Sequence, residues 1–476
     1  AVLLHAPSDP ARAVPGCKIA RVAEVREYGY CIGCGACAVP MGSPWRMARQ
    51  VDGRYWPQRV PGGWPDGAAD MVCPFAGAAT EQRLAAERFA GAAWDPLVGY
   101  YRGIYAGAAY GAERAAGSAG GLTTWLLGQL LETGEVDGVI HVVPTPNDPE
   151  GALFRYGISR TPEAVHAGSG SRYYPVELSS VLRTAREAGG RYALVGLPCY
   201  LRAAHMLRRQ EPALAATIRY TVGLVCAHLK SAAFAEYLAW QLGIPPQTLA
   251  QIDFHRKRPG VPAHRYAVWA WGWGLDGKRE RCAPMARLHG QDWGQGLFKP
   301  QACDYCDDLA AETADITFGE AWLSARRPDS AGTNLVIVRD ATLEGLLRAG
   351  AQRGAVGLEP LGPADFRRAQ EGNVHHRREA LAYRLALADA AGQPRPHKRV
   401  AADAAALSPL ERLRQRVRRA LAQRSHWAYA QARRRGDPRW LRWSLAPWTA
   451  AYTLLSHRLL RRCLRLGRRL SGRIVV

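Results

Sequence analysis

The segment Cys31-Ile-Gly-Cys34-Gly-Ala-Cys37 constrains the fold of this chain more than any other. Two residues between successive cysteines allow a tight turn to direct the sulfurs at one metal centre, and the glycines leave backbone N–H groups free to face those sulfurs. The common bacterial iron–sulfur sequence has a fourth cysteine three residues later, but here the next cysteine is Cys73. We therefore predict that a loop brings Cys73 back as the fourth ligand.

Two other interpretations of these four cysteines stay open. A structural zinc site also uses four thiolates, although they usually come as two separated pairs. A disulfide knot requires an oxidising compartment, and the first residues lack the basic and apolar segments of a secretory signal. The consecutive spacing favours iron, and we expect a cytoplasmic protein whose thiols are reduced or bound to metal.

A second set of cysteines lies in the middle of the chain. Cys199 follows a short predicted strand at the start of a helix, where the helix dipole favours a thiolate, and Cys226 follows the next predicted strand. The carboxyl ends of such strands share one edge of an α/β sheet, which is where these proteins place their chemistry. With Cys303 and Cys306, these cysteines could complete a four-thiolate site for iron or zinc.

Two segments rich in small residues are candidates for ligand binding. Residues 117–124 lead into a predicted helix, and a helix N-terminus suits a phosphate. The segment is neither GxGxxG nor a Walker loop, and a turn required for close packing is an equal alternative. Residues 167–175 form either a polar-ligand loop or an exposed turn. For the basic segment 255–258 we favour a solvated turn over contact with an anion, and we expect Asp307 and Asp308 to face water.

The net charge of +22 is concentrated near the C-terminus, because residues 401–476 contain 18 arginines, no lysine and three acidic residues. Within this tail, Leu410, Leu413, Val417 and Leu421 share one helical face, and four tryptophans follow. This composition is typical of an interfacial membrane helix, so we expect residues 405–476 to contact the inner face of a membrane. Packing against the core ranks second and nucleic-acid binding third. No apolar stretch is long enough to span a membrane.

The motifs in chain order resemble one known family. They are CIGCGAC, GSAGGLTT followed by ETGEVDGVI, GSGSRYYP, GLPCYL, GLVC, CDYCDD, ADITFGEAW and GTNLVIVR. As a set, over about residues 28–378, they resemble the coenzyme F420 hydrogenase/dehydrogenase beta-subunit family. That family includes plant-type 7-hydroxymethyl chlorophyll a reductase and cyanobacterial divinyl chlorophyllide reductase.

The resemblance implies a fold, cofactors and ligands. The expected fold is α/β, with a mixed-sheet flavin-binding core and a small N-terminal ferredoxin-like iron–sulfur module. The basic helical tail is not a feature of this family, and we expect the chain to divide at 1–90, 91–395 and 396–476. Two 4Fe-4S clusters and FAD are the expected cofactors, with coenzyme F420 as a further candidate. The implied ligands of the first cluster are Cys31, Cys34, Cys37 and Cys73, and those of the second are Cys199, Cys226, Cys303 and Cys306. The implied flavin contacts are Gly117, Ser118, Gly120, Gly121, Thr123, Thr124, Ser171 and Tyr173.

The expected function is that of a flavin-dependent iron–sulfur oxidoreductase. Electrons pass from ferredoxin, or from reduced F420, through the clusters to FAD. They leave for a small-molecule acceptor, for which the tail suggests a lipid-linked or cell-envelope compound. The alternatives are an electron-transfer subunit of a larger complex and a zinc-stabilised binding protein. The sequence identifies no catalytic residue, and nucleic acid is not an expected partner.

Overall fold

The computed structural model describes residues 19–62, 67–77, 79–146, 148–274 and 277–457. The last part of the predicted basic tail, residues 458–476, therefore lies outside the described residues, as do Cys17 and Cys463.

The described residues contain strands that are mostly short and apolar. They are β1 (Trp45–Arg49), β2 (Tyr55–Arg59), β3 (Ala93–Asp95), β4 (Gly99–Tyr101), β5 (Gly103–Ala109), β6 (Gly138–Pro144), β7 (Phe154–Ser159), β8 (Tyr192–Gly196), β9 (Ile218–Leu224), β10 (Leu249–Arg256), β11 (Ala267–Gly274), β12 (Gly277–Pro284), β13 (Ile316–Glu320), β14 (Asn334–Val338) and β15 (Val356–Leu361).

The helices lie between and after these strands. They are α1 (Val22–Glu27), α2 (Gly67–Met71), α3 (Glu81–Phe89), α4 (Ala112–Ala116), α5 (Leu122–Glu132), α6 (Pro162–Ala167), α7 (Ser179–Ala188), α8 (Pro198–Gln210), α9 (Pro212–Thr217), α10 (Ala232–Gln241), α11 (Ala341–Gln352), α12 (Pro363–Ala369), α13 (Glu371–Arg377), α14 (Glu379–Ala390), α15 (Pro409–Arg435) and α16 (Arg439–Ser456).

Eight of the described strands form one mixed sheet in the order β15-β5-β14-β13-β9-β8-β6-β7. The central strands β13, β9, β8 and β6 are parallel, and antiparallel pairs flank them on both sides. The predicted α/β class with a mixed sheet is therefore confirmed. Strands β8, β9 and β13 end at the same edge, which places the segments after Gly196, Leu224 and Glu320 side by side.

Helices cover both faces of this sheet because its strands are apolar on both sides. On one face Leu126, Leu130 and Leu347 pack against Val222 and Phe318 of the strands. The larger apolar cluster on the other side includes α8 and α10 and extends to β10 and β11. Two-sided burial explains why the central strands are continuous apolar runs in the sequence.

The N-terminal segment packs against the second half of the chain. It contributes α1, the β1–β2 hairpin, α2 and α3, and its apolar residues Val22, Val25 and Phe75 share a buried cluster with Leu381 and Leu385 of α14. The first cysteine group therefore lies against the core of the protein.

The tail forms two long helices, α15 and α16, that pack on each other. Val417, Leu421, Ala428 and Tyr429 of α15 are buried, and the Tyr429 ring lies 5.9 Å from the Phe298 ring. Part of the apolar face that we expected at a membrane thus packs against the core, the second of the three interpretations. No described helix is long and apolar enough to cross a membrane.

Candidate iron–sulfur and flavin sites

The four cysteines of the N-terminal segment converge. Cys31, Cys34, Cys37 and Cys73 all line one small cavity whose other walls are mostly apolar, including Val22, Val25, Ile32 and Phe75. The backbone between α2 and α3 brings Cys73 to the same cavity as the other three cysteines.

Glycines shape the turn around these sulfurs. Gly33 and Gly35 have φ angles of 72° and 82°, a conformation that residues with a side chain rarely adopt. A Cβ on Gly33 would lie 2.5 Å from the carbonyl oxygen of Tyr55 on β2. The Gly33 N–H donates to the Cys31 sulfur at 3.4 Å. The chain can therefore curl tightly and direct a backbone donor at a sulfur.

The electrostatics of this group show how close the thiols are. Burial raises the pKa of Cys31 to about 12 and that of Cys73 to about 11. Burial also raises the pKa of Cys34 and Cys37, and the neighbouring thiols of the group raise both further. A cationic centre among these sulfurs would favour their thiolate forms.

The second set of cysteines also converges, although its members are far apart in sequence. Cys199 lies in the first turn of α8, Cys226 follows β9, and Cys303 and Cys306 belong to a tight turn before β13. Burial raises the pKa of Cys199 well above its usual range, and the nearby Cys306, Cys226 and Cys303 thiols raise it further. The dipole at the start of α8 favours a thiolate at Cys199, whereas burial and the three neighbouring thiols oppose it.

A buried arginine that we did not predict supports the second group. The Arg377 guanidinium donates to the carbonyl oxygens of Cys226 at 2.6 Å, Ala227 at 2.9 Å and Cys306 at 3.3 Å. Its charge opposes the effect of burial on the pKa of Cys226 and Cys303. The Leu229 N–H donates to the Cys303 sulfur at 3.3 Å.

The two groups adjoin each other. Cys34 of the first group is close enough to Cys199 of the second to raise its pKa. Tyr200, next to Cys199, also has a pKa raised by burial and by Cys199 and Cys34. Charge placed in one group therefore acts on the other.

These eight thiols are of the chemical type that holds iron–sulfur clusters. In the described part of the chain no group of three or more histidine, cysteine, aspartate or glutamate side chains is arranged to hold a single metal ion. A four-iron cluster binds each thiolate to a different iron, so its donors surround a larger body. The nine cysteines within the described ranges are free of disulfide bonds.

Asp307 and Asp308 lie beside Cys306 and are buried, so the expectation that they face water is wrong. Asp307 pairs with Lys398 at 3.3 Å and with Arg399 at 3.6 Å. These charges hold its pKa well below the usual range despite burial. The segment after α14 supplies the compensating cations, and nothing in the Cys-Asp-Tyr-Cys sequence signals them.

The residues predicted to contact flavin fall into two places. The Ser171 N–H and hydroxyl each donate to the Ser118 hydroxyl oxygen at 2.8 Å, so the two small-residue segments meet. Tyr173 instead joins an aromatic cluster, with its ring 4.7 Å from Trp293. Thr123 and Thr124 are half-buried on the first turn of α5.

Close packing accounts for two of the predicted glycines. A Cβ on Gly120 would lie 2.6 Å from the Gly107 carbonyl oxygen, and one on Gly121 would lie 2.5 Å from the Arg114 nitrogen. The Leu122 N–H at the start of α5 is already bonded to the Asn334 side chain at 3.0 Å. The packing interpretation of the 117–124 loop thus has direct support, and one N–H that could face a phosphate is occupied.

A cavity of about 240 Å³ opens beside Ser118. His255 at the end of β10 and Glu320 at the end of β13 line it, as does the half-exposed Trp322. Lys257 donates to the carbonyl oxygens of Arg114 and Ala119 and so ties the glycine loop down. The prediction that residues 255–258 form a solvated turn is therefore wrong for His255, which is buried. It is also wrong for Lys257, which donates to two backbone carbonyl oxygens.

Comparison with known proteins agrees with this architecture. Residues 104–183 match the N-terminal region, and residues 189–364 the C-terminal region, of the coenzyme F420 hydrogenase/dehydrogenase beta subunit. The two regions together cover more than half of the chain. The protein belongs to this family, and the resemblance drawn from its motifs is confirmed. The family is named for subunits of coenzyme F420 hydrogenase and dehydrogenase.

One curated relative is a subunit of the F(420)H(2) dehydrogenase from Methanosarcina mazei, 28% identical over 219 residues. The match covers 43% of this chain and 56% of the relative, so the chain spans just over half of that protein's length. A similar solved chain occurs in the F420-reducing [NiFe] hydrogenase complex from Methanosarcina barkeri, with 18% identity and a TM-score of 0.44. That likeness covers 60% of this chain and 92% of the other.

Proposed function

We propose that this chain is an electron-transferring iron–sulfur flavoprotein that carries two 4Fe-4S clusters. The observation that carries the proposal is the convergence of eight cysteines from five separate segments into two adjoining groups. Bringing eight thiols so close together without disulfides has little structural benefit, whereas thiolates are the usual ligands of such clusters.

The first group is the proposed point of entry for electrons. Cys31 is half-buried, whereas Cys34, Cys37 and Cys73 are buried. Arg54 and Arg26 lie close enough to Cys31 to oppose the effect of burial on its pKa. Two cations beside a partly accessible ligand suit an acidic donor such as a ferredoxin.

The second group is the proposed link to the flavin. The proximity of Cys34 and Cys199 supports transfer between the two groups. Cys226 in turn lies within electrostatic reach of Tyr173, whose segment also holds Ser171. Arg377 would stabilise the added negative charge on this group, because it is buried and bonded to the backbone at two of the four ligands.

The flavin is proposed to bind where Ser118 and Ser171 meet, at the mouth of the 240 Å³ cavity. When bound, FAD would convert single electrons into a hydride equivalent. The chain's own residues supply the surroundings: the two hydroxyls give polar contacts, and Trp322 offers a flat apolar surface. Reduced F420 remains a candidate donor or acceptor at the same cavity, as does a small or lipid-linked acceptor.

A second candidate role is that of an electron-transfer subunit in a larger complex. The family and its curated relative are named as subunits, which favours it. Reduction of an acceptor by the isolated chain with reduced ferredoxin would support an independent enzyme. Dependence of that activity on a second polypeptide would support the subunit role.

Iron and flavin analysis tests the main proposal. Anaerobically purified protein should contain about eight irons and one flavin per chain. Cys34→Ser should lose about half of the iron, whereas Cys282→Ser, at an exposed cysteine on β12, should lose none. Stoichiometric zinc in a colourless protein would contradict the proposal, as would equal iron in the two variants.

The exposed side of α16 supports a peripheral membrane contact. Trp443 and Leu454 are about 60% exposed, Pro447 and Ala450 lie between them on the same side, and Arg442 is exposed beside Trp443. The helix contains no acidic residue. Such a face suits an anionic lipid surface.

Flotation with anionic vesicles tests this contact. The wild-type chain should rise with the vesicles at low salt, because arginine and tryptophan both favour the interface. Replacing Trp443 and Leu454 by serine should leave it at the bottom of the gradient. A double variant that floats like the wild type would exclude this face from the contact.

A further inference from the structure

The cavity beside Ser118 contains a buried histidine that the proposed electron path does not use. His255 is 5% exposed, and its ring stacks on Tyr266 with 3.7 Å between the ring centres. Among the residues that the structure describes, its Nδ1 atom has no hydrogen-bond partner, and it lies 3.4 Å from Glu320 Oε1. A buried ring nitrogen without a partner costs free energy, so its retention at a cavity wall points to a use there.

Glu320 complements this histidine. It ends β13, at the edge of the sheet where the parallel strands stop, and its side chain is 23% exposed. One carboxylate can therefore contact both the buried imidazole and water. Ser118, which we assign to the flavin, lines the same cavity.

Other charged and titratable groups face this pair from neighbouring elements. Those that line the cavity or act electrostatically on its walls are His264, Arg326, Arg327, Asp329, Lys257, Tyr173 and Tyr266. Arg326 is paired with Glu359, and Asp329 is bonded to Arg114. Lys257 is engaged by backbone carbonyls. Among these groups, His255 and Glu320 are the pair that places a buried imidazole next to a partly exposed carboxylate.

We propose that His255 and Glu320 are the proton-transfer pair of this cavity, a role that rests on the proposed flavoprotein function. A hydride equivalent comprises two electrons and one proton. The electrons come one at a time from the ferredoxin-type donor through the clusters. His255 supplies the proton, and Glu320 returns one from water to the imidazole, so that one proton is taken up for each two electrons.

The pH dependence of flavin reduction tests the pair. Wild-type protein, His255→Gln, Glu320→Gln and the control His457→Gln, at an exposed histidine at the end of α16, are reconstituted with iron, sulfide and FAD. Flavin content is measured after gel filtration. The rate of flavin reduction by dithionite and the flavin midpoint potential are then measured between pH 6 and 9.

We expect all four proteins to retain flavin. The flavin of His255→Gln should be reduced about tenfold more slowly than that of the wild type. Its midpoint potential should match the wild type, because a donor that is reprotonated from water changes the rate and not the equilibrium. Glu320→Gln should also flatten the dependence of the flavin reduction rate on pH. Because the Glu320 side chain is partly exposed, this change is less critical for folding. His457→Gln should match the wild type.

The outcomes distinguish failure of the proton role from failure of the proposed function. A wild-type chain that takes up no flavin contradicts the proposed function and, with it, the proton role. Normal flavin content with wild-type rate profiles in both His255→Gln and Glu320→Gln overturns the proton role alone. Loss of flavin from His255→Gln, with an unchanged profile in Glu320→Gln, would make His255 a binding residue and also overturn it.

Discussion

Individual residues in this protein are constrained mainly by the two thiol groups. The cysteines provide the sulfur ligands. The glycine turns direct backbone N–H groups at those sulfurs, and one buried arginine places its positive charge beside them. Arg377 illustrates this, because its guanidinium joins the backbone at Cys226 to that at Cys306. Buried charge of this kind is costly unless it is compensated, and bound anionic clusters would compensate it.

Gly33 gives a test at this scale. Gly33→Ala should lose the first group's iron, because a Cβ there would meet the Tyr55 carbonyl oxygen at 2.5 Å in addition to adopting a φ of 72°. Gly62→Ala is the matched control, since Gly62 has a φ of 74° with nothing within 4 Å of its Cβ position. In both variants the left-handed backbone conformation costs about 1–2 kcal/mol, so the two differ only in the close contact with the Tyr55 carbonyl oxygen.

Iron analysis after anaerobic purification measures the outcome. Gly33→Ala should contain about four irons per chain and Gly62→Ala about eight. Equal iron in the two variants would show that the close turn at Gly33 is not needed to hold the first group.

Secondary-structure elements show where sequence patterns were sufficient. The short strand predicted before Cys199 and the helix predicted to follow it occur as β8 and α8, because an apolar run and a proline at the helix start are local signals. Cysteine spacing indicated the first thiol group, whereas the second was expected from the strand ends and the family resemblance. Packing of α15 against the core ranks only second among the predictions for the tail, because an amphipathic helix has the same sequence pattern whether it faces lipid or protein.

Other features had no local signal at all. Arg377 is one of 63 lysine and arginine residues, and only the tertiary fold brings it to Cys226. Lys398 and Arg399 reach Asp307 from more than ninety residues away. Burial of His255 depends on the packing of β10 against neighbouring segments, which a basic four-residue segment does not reveal.

His375 provides a pH-dependent link between elements. It lies on α13, 3.4 Å from Glu379 of α14 and 3.8 Å from Glu411 of α15. These two carboxylates raise the pKa of His375 to about 9, above the value of about 6.5 for an unfolded chain. The protonated imidazole therefore favours the folded state. This stabilisation is complete below about pH 6.5 and is lost as the pH rises toward 9.

Thermal unfolding checks this sign. The difference in melting temperature between wild type and His375→Gln should be largest at pH 6 and should shrink by pH 9.5. His457→Gln, altered at an exposed histidine, should show no such change. A difference between wild type and His375→Gln that grows with pH would contradict the assignment.

At the scale of the whole molecule, the parallel strands, the N-terminal segment and α13 all contribute residues to the region of the two thiol groups. Cys199 and Cys226 follow strands of the sheet, Cys31 to Cys37 come from the N-terminal segment, and α13 supplies Arg377. This convergence explains why the chain is organised around two adjoining thiol groups. We therefore retain the division at 1–90, 91–395 and 396–476 as a proposal about sequence segments.

Electron paramagnetic resonance of the anaerobic, fully reduced protein tests the presence of two adjoining clusters without relying on activity. We expect two unpaired spins per chain, with signals broadened because the groups at Cys34 and Cys199 adjoin. Cys226→Ser should leave one spin with a sharper signal. Two sharp, independent signals, or the same spectrum in the wild type and Cys226→Ser, would contradict the two-cluster arrangement.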